Sequence, residues 1–299
     1  MSAMRTLDQN GFAAARRYLS LNARLLERRR FDVVFGDGPR EPVLHVLRGY
    51  QNPDGGFGHA LEPDLRGDGS QPQPAELALW ILDEVGGFDD AMVARLGDWL
   101  AANSGDDGGV PFVLPSVTDT PRAPWWQPDQ GPDGRAISAI NPTGPIAGLL
   151  GEHGVEHPWL ARATEFCWRT IAELDDISAY DALATLAFLE RAADRQRAEA
   201  EFDRLADALL ATVALDPDAE GHVHSPLDFA PRPDAMARRL FRQADVDRHL
   251  DVLVDRQQDD GSWAPNFLMW TPVVATEWGG WLTLSTLKTL RAYGRVDGV

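Results

Sequence analysis

The segment GHALEPDLRGDGSQPQPAE, residues 58–76, gathers His59, Glu62, Asp64, Arg66, Asp68 and Glu76 just ahead of the almost wholly apolar run Ala75–Asp83. Ionisable groups at such a junction can supply a carboxylic acid together with a neighbour that orients it. Apolar surroundings and a nearby like charge both raise a carboxyl pKa, and a neutral carboxyl of that kind can protonate an alkene. Glu62 and Asp64 are the most closely spaced carboxylates, so one of them is expected to point inward as the acid. The same residues also suit a solvated acidic loop whose Asp side chains cap the following helix.

Further candidates lie at the starts of other apolar runs: Asp181 beside Tyr180 in DISAYDALATL, Asp228 in HSPLDFAP and Glu277 in TPVVATEWGGW. A carboxylate buried at Asp181 must be neutral or paired, for instance with an Arg. Trp125, Trp126, Phe229, Phe267, Trp270, Trp278 and Trp281 cluster near the same ends. Ring faces stabilise cations and line sugar sites, and they also simply fill cores. Trp125 and Trp126, between Pro124 and Pro128, are the pair hardest to explain as core. The single cysteine, Cys167, rules out a disulfide within the chain and any zinc site needing two thiolates. It sits mid-helix in ATEFCWRTI, where it reads as a small buried apolar residue. No metal and no cofactor is expected.

Opposing 46 acidic residues to 28 Lys and Arg leaves a net charge of −18, which repels phosphate backbones and anionic membrane surfaces. Nucleic acid is therefore excluded as a partner. The N-terminal stretch has no long apolar run, and no segment approaches 18 consecutive apolar residues, so no integral membrane segment and a cytoplasmic location are expected.

The elements that must position these groups read as helices. Apolar residues recur at helical spacing, as in Phe202, Leu205, Ala206, Leu209, Leu210 and Val213, and no alternating strands bounded by hairpin turns occur. The fold is expected to be all-α, with helices near residues 9–29, 40–50, 74–85, 91–103, 142–152, 158–174, 177–191, 199–214, 233–242, 247–258 and 276–292. Ala75–Asp83 and Tyr180–Leu189 are apolar on nearly every side, so both are expected in an inner layer behind one-faced outer helices. The Gly- and Pro-rich stretch 105–145 is long for a bare connection and is either functional or hides a short helix.

One motif repeats. HVLRGYQNPDGGFG and DVLVDRQQDDGSW share Leu-x3-Gln-x3-Gly-x-aromatic, so that Leu47, Gln51, Gly55 and Phe57 match Leu253, Gln257, Gly261 and Trp263. WLAANSGDDGGVPF keeps Leu100, Gly108 and Val110 but has Ser104 for the Gln. Three copies argue for duplication. The Gly allows a tight helix exit, the aromatic packs over the turn, and the Gln amide can bridge helix-end groups of neighbouring repeats, which makes these residues structural.

QNPDGGFG and QQDDGSW resemble the QW repeats of the terpene cyclase and protein prenyltransferase superfamily. The resemblance extends from about Arg40 to about Arg291 and implies a single domain, residues 1–299, folded as a squalene cyclase-like (α/α)6 toroid with QW-like turns at 47–57, 100–110 and 253–263. It also implies an isoprenoid chain bound in a central cavity. The zinc-binding Asp, Cys and His of the prenyltransferases have no counterpart here, because Cys167 is misplaced, and zinc-dependent LanC-like cyclases need two Cys. No DxDD occurs, and Asp175-Asp176-Ile177-Ser178-Ala179 lacks the last Asp of DDxxD. The resemblance thus implies acid-initiated cyclisation or isomerisation without metal, with Glu62, Asp64 and Asp181 as catalytic candidates. His59, Trp125, Trp126, Tyr180, Asp228, Trp270, Glu277 and Trp278 are the substrate-binding candidates. Two other functions stay open: a noncatalytic toroid for a hydrophobic ligand or protein partner, and a carbohydrate-active (α/α) barrel, against which the QW turns argue.

Overall fold

The computed structural model describes residues 4–298. They form twelve α-helices in chain order: α1 Gln9–Asn22, α2 Leu25–Phe35, α3 Glu41–Arg48, α4 Pro72–Val85, α5 Ala91–Asn103, α6 Ile140–Glu152, α7 Pro158–Ala172, α8 Ala179–Arg191, α9 Arg195–Ala211, α10 Pro226–Phe229, α11 Gln243–Asp255 and α12 Pro272–Ala292. Extended pairing among the described residues is confined to isolated bridges, so the fold is all-α as the periodicity predicts. No helix among them is long and apolar enough to cross a membrane.

Caps explain most boundaries. Asp8, Asp90, Ser178 and Thr271 accept backbone amides at the starts of α1, α5, α8 and α12, and prolines occupy the first turns of α4, α7 and α12. The helix expected over 9–29 is two helices, because Ala23 and Arg24 are extended and the Arg28 guanidinium takes the Ala23 carbonyl at 2.8 Å. The helix expected over 233–242 is only a 3-10 turn, Met236–Leu240, and α11 begins at Gln243. Stretch 105–145 hides another short 3-10 helix, Pro115–Asp119.

The chain forms two compact units, one of residues 40–209 and one of residues 4–39 with 210–298. In the first, α6 is buried from Pro142 to Leu150 and packs on α4 and α8, while α5 packs on α7. Gly144 makes the α6–α8 approach possible, since a Cβ there would lie 2.8 Å from the Ala184 carbonyl oxygen. The stripe on α9 is buried at Phe202, Leu205 and Leu209, as expected. In the second unit α12 packs on α1, α2 and α11. Leu7 pairs there with the segment after α12, donating its amide to the Arg295 carbonyl at 2.8 Å and accepting from the Asp297 amide at 2.9 Å. The Arg295 guanidinium, 1% exposed, binds the Arg5 carbonyl, Asp247 and Asp251.

The repeated turn is one device built three times. Gly55, Gly108 and Gly261 have φ of +98, +92 and +93°, and a Cβ on each would lie 2.3, 2.6 and 2.4 Å from a backbone atom of Arg95 in α5, Arg162 in α7 and Ala14 in α1. Each glycine therefore combines a left-handed conformation with direct backbone contact against another helix. Gln51 Nε2 donates to the Gly55 and Met92 carbonyls, both at 2.9 Å, and Gln257 Nε2 to those of Gly261 and Gly11 at 3.1 and 2.8 Å. Met92 and Gly11 lie in the first turns of α5 and α1, so the amide ties the turn to the beginning of a helix rather than to orphan groups at a helix end. Asp54, Asp107 and Asp260 each accept the amide two residues on and a serine hydroxyl, from Ser70, Ser138 and Ser262. Phe57, Val110 and Trp263 are buried, and Trp263 Nε1 donates to the Leu253 carbonyl at 2.7 Å.

Candidate functional site

In unit 40–209 the first repeated turn leads into the loop 58–71. His59 and Ala60 have positive φ, 56 and 59°, an unusual pair for residues with a Cβ. The His59 amide donates to the Gly67 carbonyl at 2.9 Å and its ring meets Asn52 Oδ1 at 2.8 Å, leaving the residue exposed. Beyond it Leu61–Leu65 is buried, an uncommon state for a loop. Glu62 and Asp64 are 4% and 3% exposed, so neither projects into bulk solvent. Glu62 Oε2 accepts the Leu65 amide at 2.8 Å, closing the turn, and the Asp64 carbonyl accepts the Ala123 amide at 2.9 Å. The loop thus packs against the segment that carries Trp125 and Trp126. Those two tryptophans part company: Trp126 is buried with its ring stacked on Phe112 at 4.8 Å, and Trp125 is 42% exposed.

The carboxyl best suited to acid chemistry is Glu76, one turn into α4. Burial pushes its pKa up to about 7, opposed by a hydrogen bond from Trp80 Nε1 to its Oε1 at 3.0 Å. Glu76, Leu77 and Trp80 share one face of α4 and keep part of their surface accessible, while Ala75, Ala78, Leu79, Ile81 and Leu82 on the other faces are fully buried. Gln73, on the same face, donates to Asn141 Oδ1 at 3.0 Å. Glu76 closes the 58–76 segment singled out in the sequence and lies in α4, but Glu62 and Asp64 drew attention by proximity. The i,i+4 spacing of Glu76 and Trp80 was the available signal.

Asp181 and Asp228 serve caps instead. Asp181 is not a buried charge: it is partly exposed in the first turn of α8, where its amide and carboxylate bond the Ser178 hydroxyl at 3.1 and 2.8 Å. Tyr180, expected inside, is 51% exposed because it too lies in the first turn, ahead of the buried stretch from Ala182. Asp228 is exposed and forms a capping box with Ser225, accepting its amide at 2.6 Å.

In the unit of residues 4–39 and 210–298, rings form a run. His222 lies 5.3 Å from Phe267, Phe267 meets Trp278 edge-on at 5.5 Å, and Trp278 meets Trp281 edge-on at 6.4 Å. The Arg30 guanidinium stands 4.2 Å over Trp281. Trp270 and Glu277 are partly exposed. Burial lowers the His224 pKa, with Asp228 opposing and His222 adding to the fall. Burial also lowers that of His249, whose Nε2 donates to the Leu215 carbonyl at 3.1 Å. Sequence reasoning missed the fully buried Glu27, gripped by Arg24 through bonds of 3.0 and 2.8 Å and lying 3.8 Å from Arg30; the i,i+3 spacing of opposite charges was its signal.

Cys167 is fully buried in α7, and burial pushes its thiol pKa up. A shallow groove on α7 and α9 is lined by Trp168, Arg169 and Arg197, the last 4.4 Å over the Trp168 ring, on a surface that carries none of the candidate residues.

No family model matches the chain, and no curated protein matches it. Its structure is similar to the crystal structure of a protein from Actinoplanes, with a TM-score of 0.57 and 17% identity over 95% of this chain and 99% of the other. At that identity the likeness speaks for the fold alone.

Proposed function

We propose that this protein is an (α/α)6 toroid that binds an isoprenoid chain and protonates it from Glu76, initiating a terpene cyclase-like cyclisation or isomerisation without a catalytic metal. The observation that carries the reading is the Glu76 carboxyl, held near pKa 7 by burial on a partly accessible face shared with Leu77 and Trp80. At neutral pH a large fraction of such a carboxyl keeps its proton. Transfer of that proton to one carbon of a C=C bond leaves a cation on the neighbouring carbon and a carboxylate on Glu76. The Trp80 N–H, already on Oε1, stabilises that carboxylate. The QW-like turns support the resemblance on which the substrate class rests, and the packing of alternate helices, α4 on α6, α6 on α8 and α5 on α7, supports the toroid. A second reading, noncatalytic binding of a hydrophobic ligand, draws support from the ring run of Phe267, Trp278 and Trp281.

The test is turnover of linear polyprenes and prenyl diphosphates, followed by mass spectrometry, with Mg2+ and with chelator. Turnover is expected in both conditions, and Glu76→Gln is expected to lower it by at least about 100-fold while leaving ligand binding intact. Full turnover by Glu76→Gln, with loss in Glu62→Gln or Asp64→Asn instead, moves the acid into the loop. Isoprenoid binding without turnover selects the second reading, and binding of oligosaccharide alone rejects both.

A further inference from the structure

The C-terminal ends of α4 and α6 bring together a carboxylate from Asp83, a carboxylate from Glu152 and the imidazole of His153, with one donor atom of each within 4.8 Å of the others. We propose that these three side chains bind a divalent cation of the zinc class and thereby clamp α4 to α6. Asp83 stands in the last turn of α4, Glu152 is the last residue of α6, and His153 follows it.

His153 and Glu152 are each held by a neighbour outside the triad. The His153 ring stacks on Phe88 at 3.8 Å and 13°, and its Nε2 lies 2.7 Å from Asp83 Oδ1. Arg191 Nε lies 2.9 Å from Glu152 Oε2, and its guanidinium stands 4.7 Å over the Trp80 ring. A carboxylate has two oxygens, so Arg191 can hold one while the other turns to a metal, as groups behind metal ligands commonly do. Glu190, 3.7 Å from Arg191, offsets the charge of the guanidinium. Both helices also end here with the negative poles of their dipoles toward the site.

One imidazole nitrogen and two carboxylate oxygens, with a fourth position for water, match the donor set and coordination number of Zn2+. All three side chains are partly accessible, so an ion can enter from solvent. The site lies about 10 Å along α4 from Glu76, by the rise of a helix over seven residues, and does not depend on the catalytic proposal.

His157 and Asp98 provide an internal control, since they form a similar pair at 3.3 Å but belong to no such triad among the described residues. Tag-free protein stripped with chelator and titrated with Zn2+, and separately with Co2+ for its visible absorption, is expected to take up one equivalent with a rise in melting temperature. His153→Gln, Asp83→Asn and the more exposed Glu152→Gln are each expected to weaken uptake by about 10-fold or more, with His157→Gln unchanged. Circular dichroism of the metal-free variants separates loss of ligand from loss of fold. The proposal is overturned if the wild-type chain takes up no equivalent of either ion, or if folded Glu152→Gln and His153→Gln bind as the wild type does.

Discussion

At the scale of single residues, what decides a carboxyl's chemistry is its surroundings, and these are only partly written in the local sequence. Asp181, Asp228 and Glu62 all accept nearby amides or hydroxyls, bonds that close a turn or cap a helix. Glu76 differs because burial is the largest influence on it, and its effect shows in folding as well as in catalysis. An unfolded Glu titrates near 4.5 and the folded one near 7, so between those values the folded chain holds the extra proton and its stability falls as pH rises. Glu76→Gln cannot ionise and escapes that loss. The variant is therefore expected to match the wild type near pH 4.5 and to exceed it at pH 8 by an amount on the order of 2–3 kcal/mol. Denaturant melts at the two pH values measure the difference, and parallel behaviour of the two proteins would show that the carboxyl is not perturbed. The position of Glu76 in the loop segment was legible; its environment was not, because it depends on which face of α4 stays accessible.

Among elements, the repeated turn was the most legible feature. Leu, Gln, Gly and aromatic were readable as a staple, and the structure adds the Asp that takes the following amide and a serine hydroxyl in every copy. The partner was only partly legible: Arg95 and Arg162 each donate a guanidinium N–H to the same carbonyl of the turn, that of Asn52 at 2.8 Å and of Gly105 at 2.9 Å, but Ala14 has no such group, and all three are approached by the glycine at their backbone. The break between α1 and α2 was hidden because the run from Asn22 to Leu25 contains neither Gly nor Pro, and local side-chain bonds, from Asn22 to the Tyr18 carbonyl and from Arg28 to the Ala23 carbonyl, mark the end of the first helix. Gly55→Ala and Gly261→Ala must both strain a positive φ and displace a neighbouring helix, so each is expected to cost on the order of 2–4 kcal/mol. Gly134→Ala has φ +75° but open space around the added Cβ, and only the conformational part, about 1–2 kcal/mol, is expected. Equal losses at all three sites, measured by thermal or chemical melts, would mean that contact with the next helix contributes nothing.

For the whole molecule, the helical class followed directly from periodicity, and the likeness to the protein from Actinoplanes spans nearly the full length of both chains. Long-range pairing of the sort made by Leu7 with Arg295 and Asp297 could not be read from either segment alone. That pairing sets an order in time. Residues 40–209 form one unit from a continuous stretch, whereas residues 4–39 belong with 210–298, which a ribosome delivers after both. Residues 4–39 must therefore wait for residues 210–298, holding the apolar side chains of Leu19, Leu26 and Phe31 without their final neighbours while the middle folds. Hydrogen-exchange pulses during refolding are expected to protect α4, α6 and α8 before α1 and α12, and simultaneous protection of all five would contradict that order. Until residues 210–298 follow, the growing chain therefore carries an apolar surface that the folded protein hides.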